Sequence, residues 1–211
     1  AVYPASDIDS FAMAACTVSG QRCSHGASEE PVLIAELSAV LNYCLVNDLL
    51  GEDAAHRYVG HEPAPVGGED GLRGDGRPHN PCVLMGNLVT ASLIEPTADV
   101  SARLSLIRST YDSAADGSRI GCNDDLVAQF MSGRSTESAR THSMAYRLLE
   151  LGAFPEGASQ NVVAETLELY YKMMSTTMST NALSVVAATL ANGGINPCTG
   201  ERVFSEQAVQ N

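Results

Sequence analysis

Apolar positions along most of this chain recur at spacings of three and four, the pattern of amphipathic helices. After Pro31 the run "VLIAELSAVLNY" sets Ile34, Leu37, Leu41 and Leu45 at steps of 3, 4 and 4, which predicts a helix beginning there. Further helices are predicted near 82–94, ended by Pro96, and at 99–114, 123–132, 135–151, 160–175 and 181–191. Within 160–175, Val163, Leu167, Tyr170 and Met174 share one face. Gly152 and the "NGG" at 192–194 are C-terminal cap signals, and Ser205 is placed to cap a last helix at 205–209. Only "FAMAACTVSGQRCSHG" (11–26) gives a strong strand signal, two runs around "SGQ" that predict a β-hairpin. Residues 67–81 read as a Gly-rich polar loop. The expected class is therefore α+β and predominantly helical, with an N-terminal β-hairpin, as a single domain over 1–211.

Composition narrows the functions. The chain is 45% hydrophobic and 18% charged, a globular balance. It has no Trp and few aromatics, so Ala, Val, Leu and Met must build the core. A net charge of −13 repels phosphate backbones and anionic lipid, which argues against nucleic-acid and membrane-surface binding. No run approaches the length of a membrane span. The six cysteines (Cys16, Cys23, Cys44, Cys82, Cys122 and Cys198) form no C-x-x-C pair. Most lie in apolar segments and read as reduced, buried thiols of an intracellular or organellar protein; a zinc or disulfide framework is the alternative. The first residue is Ala1 rather than Met, so a targeting peptide cannot be read.

Generic motifs add little. The glycines at 67–76 lack a following G-K-[ST] and are not a P-loop, and "RGD" at 73–75 is a three-letter match. His56, His61 and His79 lack the i, i+4 spacing of a helical metal site, so no metal or cofactor is expected. Asp124 and Asp125 fall where a helix begins and complement its dipole.

Longer runs carry more. "CTVSGQR" (16–22), "VND" (46–48), "HRYVGHEP" (56–63), "PHNP" (78–81), "SLI" (92–94), "FPEG" (154–157) and "VVAATLANGGINPCTGERVFSEQAVQN" (185–211) resemble, in order, the glutaminase family. These are serine-dependent amidohydrolases with a β-lactamase-like fold that release ammonia from L-glutamine. The resemblance implies a Ser followed three residues later by Lys at a helix start. There the Lys takes the Ser proton and the freed oxygen attacks the amide carbonyl.

The chain departs from that pattern at the chemistry. Aligned from Pro31 to His56, the Ser position falls on Glu36 and the Lys position on Ala39. Ser38 is near, but three residues on stands Leu41. The single lysine is Lys172, three residues after Leu169, so no Ser-x-x-Lys exists in the 211 residues. The family's substrate-holding Asn falls on Leu84, and its later Glu and Asn fall on Arg134 and Thr141. Each lost hydrogen bond to a zwitterionic substrate costs about 1–3 kcal/mol. Tyr170 does match a family active-site position, although its place on the Val163–Met174 face favours core packing. The resemblance also implies further strands, with a second active-site Tyr and a K-S-G-like segment, beyond the "AV-N" match at the end of this chain. A C-terminally shortened member is expected.

The expected function is that of a catalytically inactive glutaminase-like protein, a structural or binding subunit of a larger assembly. Its protein partner would cover the edge of hairpin 11–26, because a lone hairpin is marginal in water and open to strand addition. Two alternatives stay open: a glutamine amidohydrolase or a hydrolase of altered chemistry using Glu36, and an amino-acid sensor using the old pocket. The resemblance implies an organelle, a mitochondrion or plastid, as the compartment.

Overall fold

The computed structural model describes residues 10–65, 71–117 and 120–210. In chain order come β1 (Ala12–Cys16), β2 (Arg22–Gly26), β3 (Pro31–Leu33), a single 3-10 turn (Ala35–Leu37), α1 (Ser38–Leu50) and α2 (Glu52–Ala55). Next are α3 (Leu84–Leu93), α4 (Val100–Ala114), β4 (Gly121–Cys122), α5 (Asp124–Met131) and α6 (Thr136–Glu150). The last elements are α7 (Gln160–Met174), β5 (Thr176–Ser179), α8 (Thr180–Ala191) and α9 (Glu206–Gln210). Helices dominate two small sheets, which is the α+β class expected from the sequence.

Helix α7 is the centre. Helices α3, α4, α5 and α6 and the 35–37 turn all pack against it. The face predicted from Val163, Leu167, Tyr170 and Met174 is buried, and so are Thr166, Leu169, Tyr171 and Met173. A one-faced pattern understates a helix enclosed on several sides.

The caps follow local chemistry. Asp99, Asn123, Ser135 and Ser179 accept hydrogen bonds from backbone N–H groups in the first turns of α4, α5, α6 and α8. Buried Arg103 closes the other end of α3, donating to the Ile94 carbonyl at 2.7 Å and the Ala91 carbonyl at 2.9 Å. Burial holds its guanidinium below the ordinary arginine range, and Glu165 at 3.9 Å opposes that. Asn196 does the same for α4, donating to the carbonyls of Ser113 (2.9 Å) and Ala115 (2.7 Å).

Three expectations need correction. The chain after Pro31 does not enter a helix. It first forms β3, antiparallel to β5, and the Ile34 N–H donates to the Thr176 carbonyl at 3.0 Å, so helix α1 begins only at Ser38. The hairpin is real, with Ala12 opposite Gly26, but β3-β5-β4 make a second sheet that no alternating run announces. Its strands are two to four residues long, too short for a period-2 signal. Of the cysteines, only Cys44 is buried, although all six are free thiols. Cys16 and Cys23 sit in a hairpin covered on one face, and Cys82 and Cys198 lie in turns, where an apolar neighbour in sequence brings no burial.

Candidate functional site

The segment between β3 and α1 is where the resemblance puts reactive groups. Its backbone is strained. Ala35 takes φ 45°, a left-handed conformation costly for any residue with a Cβ. The turn is pinned on both sides, by the Ile34 bond to β5 and by the Leu37 N–H donating to the Ile34 carbonyl at 2.9 Å. Just after Ala35, Glu36 is exposed to solvent, and Ala39 lies 1% exposed in the core.

The other predicted positions divide. Leu84 is the first residue of α3 and is half-buried against the core. Thr141, on α6, is buried, and its hydroxyl donates to the Glu137 carbonyl of its own helix at 3.1 Å. Tyr170 is buried on α7, its ring edge-on to Tyr171 at 5.4 Å. Through α7 the structure gathers the 35–37 turn, α3 and α6 around one region. It does not bring in Arg134, which is exposed on the loop before α6. Lys172 sits in the last turn of α7 with its ammonium on Glu168 at 3.0 Å.

A cavity of about 470 Å³ opens beside the start of α3. Leu72, Met85, Ser143, Met144, Arg147 and Leu151 line it, and none of its described walls is a carboxylate. Arg147 is already paired with Glu150 at 2.8 Å. Such a wall offers a substrate ammonium no opposite charge, only the Ser143 hydroxyl as a side-chain acceptor.

Sequence reasoning missed one buried polar cluster. The Tyr171 hydroxyl meets His142 Nδ1 at 3.1 Å, and that nitrogen also lies 2.7 Å from the Ser138 carbonyl. Phe130 stacks on the Tyr171 ring at 5.0 Å, and burial pushes the phenol up to about 12. The four residues stand on three helices, and no sequence spacing marks them. The strain at Ala35 has no signal either, because Ala is not a residue that announces positive φ.

The retained runs make clamps. In "PHNP", the Asn80 side chain donates to the Glu62 carbonyl at 2.9 Å and accepts from the Cys82 N–H at 3.0 Å. Gly86 lies beneath it, and a side chain there would strike the Asn80 carbonyl oxygen at 1.8 Å. In "HRYVGHEP", the His56 ring bridges the Tyr43 hydroxyl (2.8 Å) and the Val59 carbonyl (2.9 Å). The Asp48 carboxylate of "VND" accepts from the Ser205 N–H at 3.1 Å.

The family model for glutaminase matches residues 4–211. The chain belongs to the glutaminase family. Among relatives, "Putative glutaminase 2" of Caenorhabditis elegans is 34% identical over 192 residues, covering 90% of this chain and 31% of that protein. "Glutaminase liver isoform, mitochondrial" of Rattus norvegicus is 34% identical over 207 residues, covering 98% of this chain and 33% of that one. "Glutaminase" of Trichormus variabilis is 30% identical, covering 96% of this chain and 58% of that protein. This chain thus spans about a third of the animal glutaminases and just over half of the cyanobacterial one. Among solved structures, the native form of Mglu superposes with a TM-score of 0.85 at 26% identity, over 97% of this chain and 48% of that one. The expected glutaminase membership and β-lactamase-like fold are therefore met.

The strain at Ala35 is testable. Relief of left-handed backbone is worth about 1–2 kcal/mol, and glycine's extra chain entropy costs roughly 0.5–1 kcal/mol. Ala35→Gly should therefore stabilise the fold by about 0.5–1 kcal/mol, read as a higher urea midpoint. A lower midpoint would show that the turn is unstrained.

Proposed function

We propose that this glutaminase-family chain is catalytically inactive and serves as a structural or binding subunit of a larger protein assembly. One observation carries the reading. Where the family resemblance places a hydroxyl nucleophile and its lysine base, this chain has an exposed carboxylate, Glu36, and a buried methyl group, Ala39. A carboxylate is a poor nucleophile toward an amide. The chain's one lysine is engaged by Glu168. Leu84 in place of the substrate-holding Asn, and a cavity without a described carboxylate, agree with that reading.

The binding role rests on hairpin β1–β2. It pairs only with itself among the described residues, and it packs one face on α8. Phe11, Met13 and Val18 lie 62%, 56% and 53% exposed along it. In this reading a partner chain adds an extended segment to the open edge, where backbone N–H and C=O groups await pairing. No helix among the described residues is long and apolar enough to cross a membrane. An organellar location belongs to the same proposal, suggested by the word "mitochondrial" in the rat relative's name.

Glutamine hydrolysis is the rival reading, and the names of the relatives favour it. Purified protein given L-glutamine should release no ammonia above the buffer rate. Turnover would overturn the proposal, and its loss on Glu36→Ala would assign an altered chemistry to that carboxylate. The double change Glu36→Ser with Ala39→Lys should stay inactive, because Leu84 offers no polar group and a lysine at Ala39 must enter the core.

The docking element has its own test in hydrogen exchange of the chain alone. Amides at the open edges of residues 12–26 should exchange quickly. A stable monomer with that hairpin strongly protected would remove the need for a partner.

A further inference from the structure

Cys16 ends β1 and is half-buried, while Cys198 lies exposed in the turn after α8. They are 182 positions apart in sequence, yet the fold makes them neighbours. The backbone accounts for this. The hairpin turn rests on the 196–200 turn so closely that a side chain at Gly20 would come within 2.8 Å of the Pro197 carbonyl oxygen. Asn196 fixes the other partner: its carboxamide oxygen accepts from the Cys198 N–H at 2.9 Å while its nitrogen holds the end of α4. The Cys16 thiol donates to the Thr17 carbonyl at 3.5 Å, which keeps its sulfur at the strand end. Both thiols are thus presented by elements tied to the body of the molecule.

A cation stands beside them. Arg22 lies opposite Cys16 in the hairpin register, and its guanidinium interacts with both sulfurs as well as with Asp116, 2.5 Å away. Burial and the neighbouring Cys198 hold the Cys16 thiol above its ordinary range, with Arg22 opposing, so the exposed Cys198 is placed to react first and Cys16 to resolve. Cys44 is set apart by depth: it is buried in the core, and burial pushes its thiol up to about 12.

We propose that Cys16 and Cys198 are an oxidative modification site, a paired dithiol that a low-molecular-weight disulfide converts to an intrachain disulfide. The exposed Cys198 thiolate attacks one sulfur of the small disulfide, breaks its S–S bond and expels one thiolate. The Cys16 thiolate then attacks the Cys198 sulfur of the mixed disulfide and expels the second. The two cysteines lose two electrons, the small disulfide gains them, and the two protons end on the released thiols. The new bond ties the hairpin to the turn between α8 and α9. It needs neither catalysis nor a partner, so it stands or falls separately from the function proposed above.

The test uses the full chain equilibrated in glutathione buffers from fully reduced to fully oxidised. Free thiols are then blocked with an alkylating agent and the peptides mapped by mass spectrometry. The expected result is a monomer lighter by two hydrogens, one cross-linked peptide pair holding Cys16 and Cys198, and reversal by dithiothreitol. In Cys16→Ser, Cys198 should stop at the mixed disulfide with glutathione. The proposal is overturned if both thiols remain alkylatable in oxidised buffer. A bond from either one to another cysteine, a bond between chains, or a persistent glutathione adduct on wild-type Cys198 would equally contradict it.

Discussion

Helix α7 must be apolar or internally satisfied on most of its circumference, because four helices and the strained 35–37 turn close over it. That constraint organises the rest of the structure. Leu, Val and Met fill most of its buried positions. The Tyr171 hydroxyl finds a partner in His142, whereas the Thr166 hydroxyl, buried on the same helix, has none among the described residues. Each buried hydrogen bond of this kind adds only about 1 kcal/mol, but leaving the group unmet costs about 1–3 kcal/mol. The helix therefore tolerates conservative apolar exchange far better than a new charge. The one lysine it carries sits in its last turn, half exposed and paired.

In the proposed reading, the same packing lets a family scaffold persist while its reactive positions change. Contacts around α7 depend on volume and burial. The clamps depend on turns and backbone carbonyls: Asn80 on Glu62, His56 on Val59, Asn196 on the end of α4, Arg103 on the end of α3. None of these interactions uses Glu36, and Leu84 and Ala39 contribute only apolar contact and bulk. A hydroxyl, an amine or a carboxamide at those positions answers to a substrate, and the fold does not require it. The strained Ala35 sits between the two regimes, held by β5 behind it and by the start of α1 ahead.

Much of this was legible in the sequence, for physical reasons that differ by element. Long helices such as α4, α6 and α8 carry repeated periodicity and a capping Asp or Ser, so their bounds lie within a residue or two of those read from the pattern. The hairpin announced itself through "SGQ" and the runs on either side. Sheet β3-β5-β4 did not, because its short strands are chosen by pairing across the chain, and Pro31 to Leu33 look helical beside the periodic apolar residues from Ile34 to Leu45. Loss of Ser-x-x-Lys needed only counting, since the chain has one lysine. The surroundings of the candidate site were hidden. Arg134 lies on an exposed loop, Thr141 donates within its own helix beside Tyr171, and the Tyr171–His142 contact joins residues 29 apart. Side-chain geometry of that sort belongs to tertiary packing, which spacing does not encode.

In the proposed reading, the 35–39 turn keeps its shape without a nucleophile able to attack an amide. An electrophilic glutamine analogue tests this most directly, because it reports covalent capture independently of turnover. The protein is incubated with the analogue, then measured by intact mass and peptide mapping. The expected result is no adduct on residues 35–39, with any alkylation confined to the exposed thiols of Cys23, Cys82 and Cys198. A single stoichiometric adduct, mapped to residues 31–45 and blocked by excess L-glutamine, would contradict it.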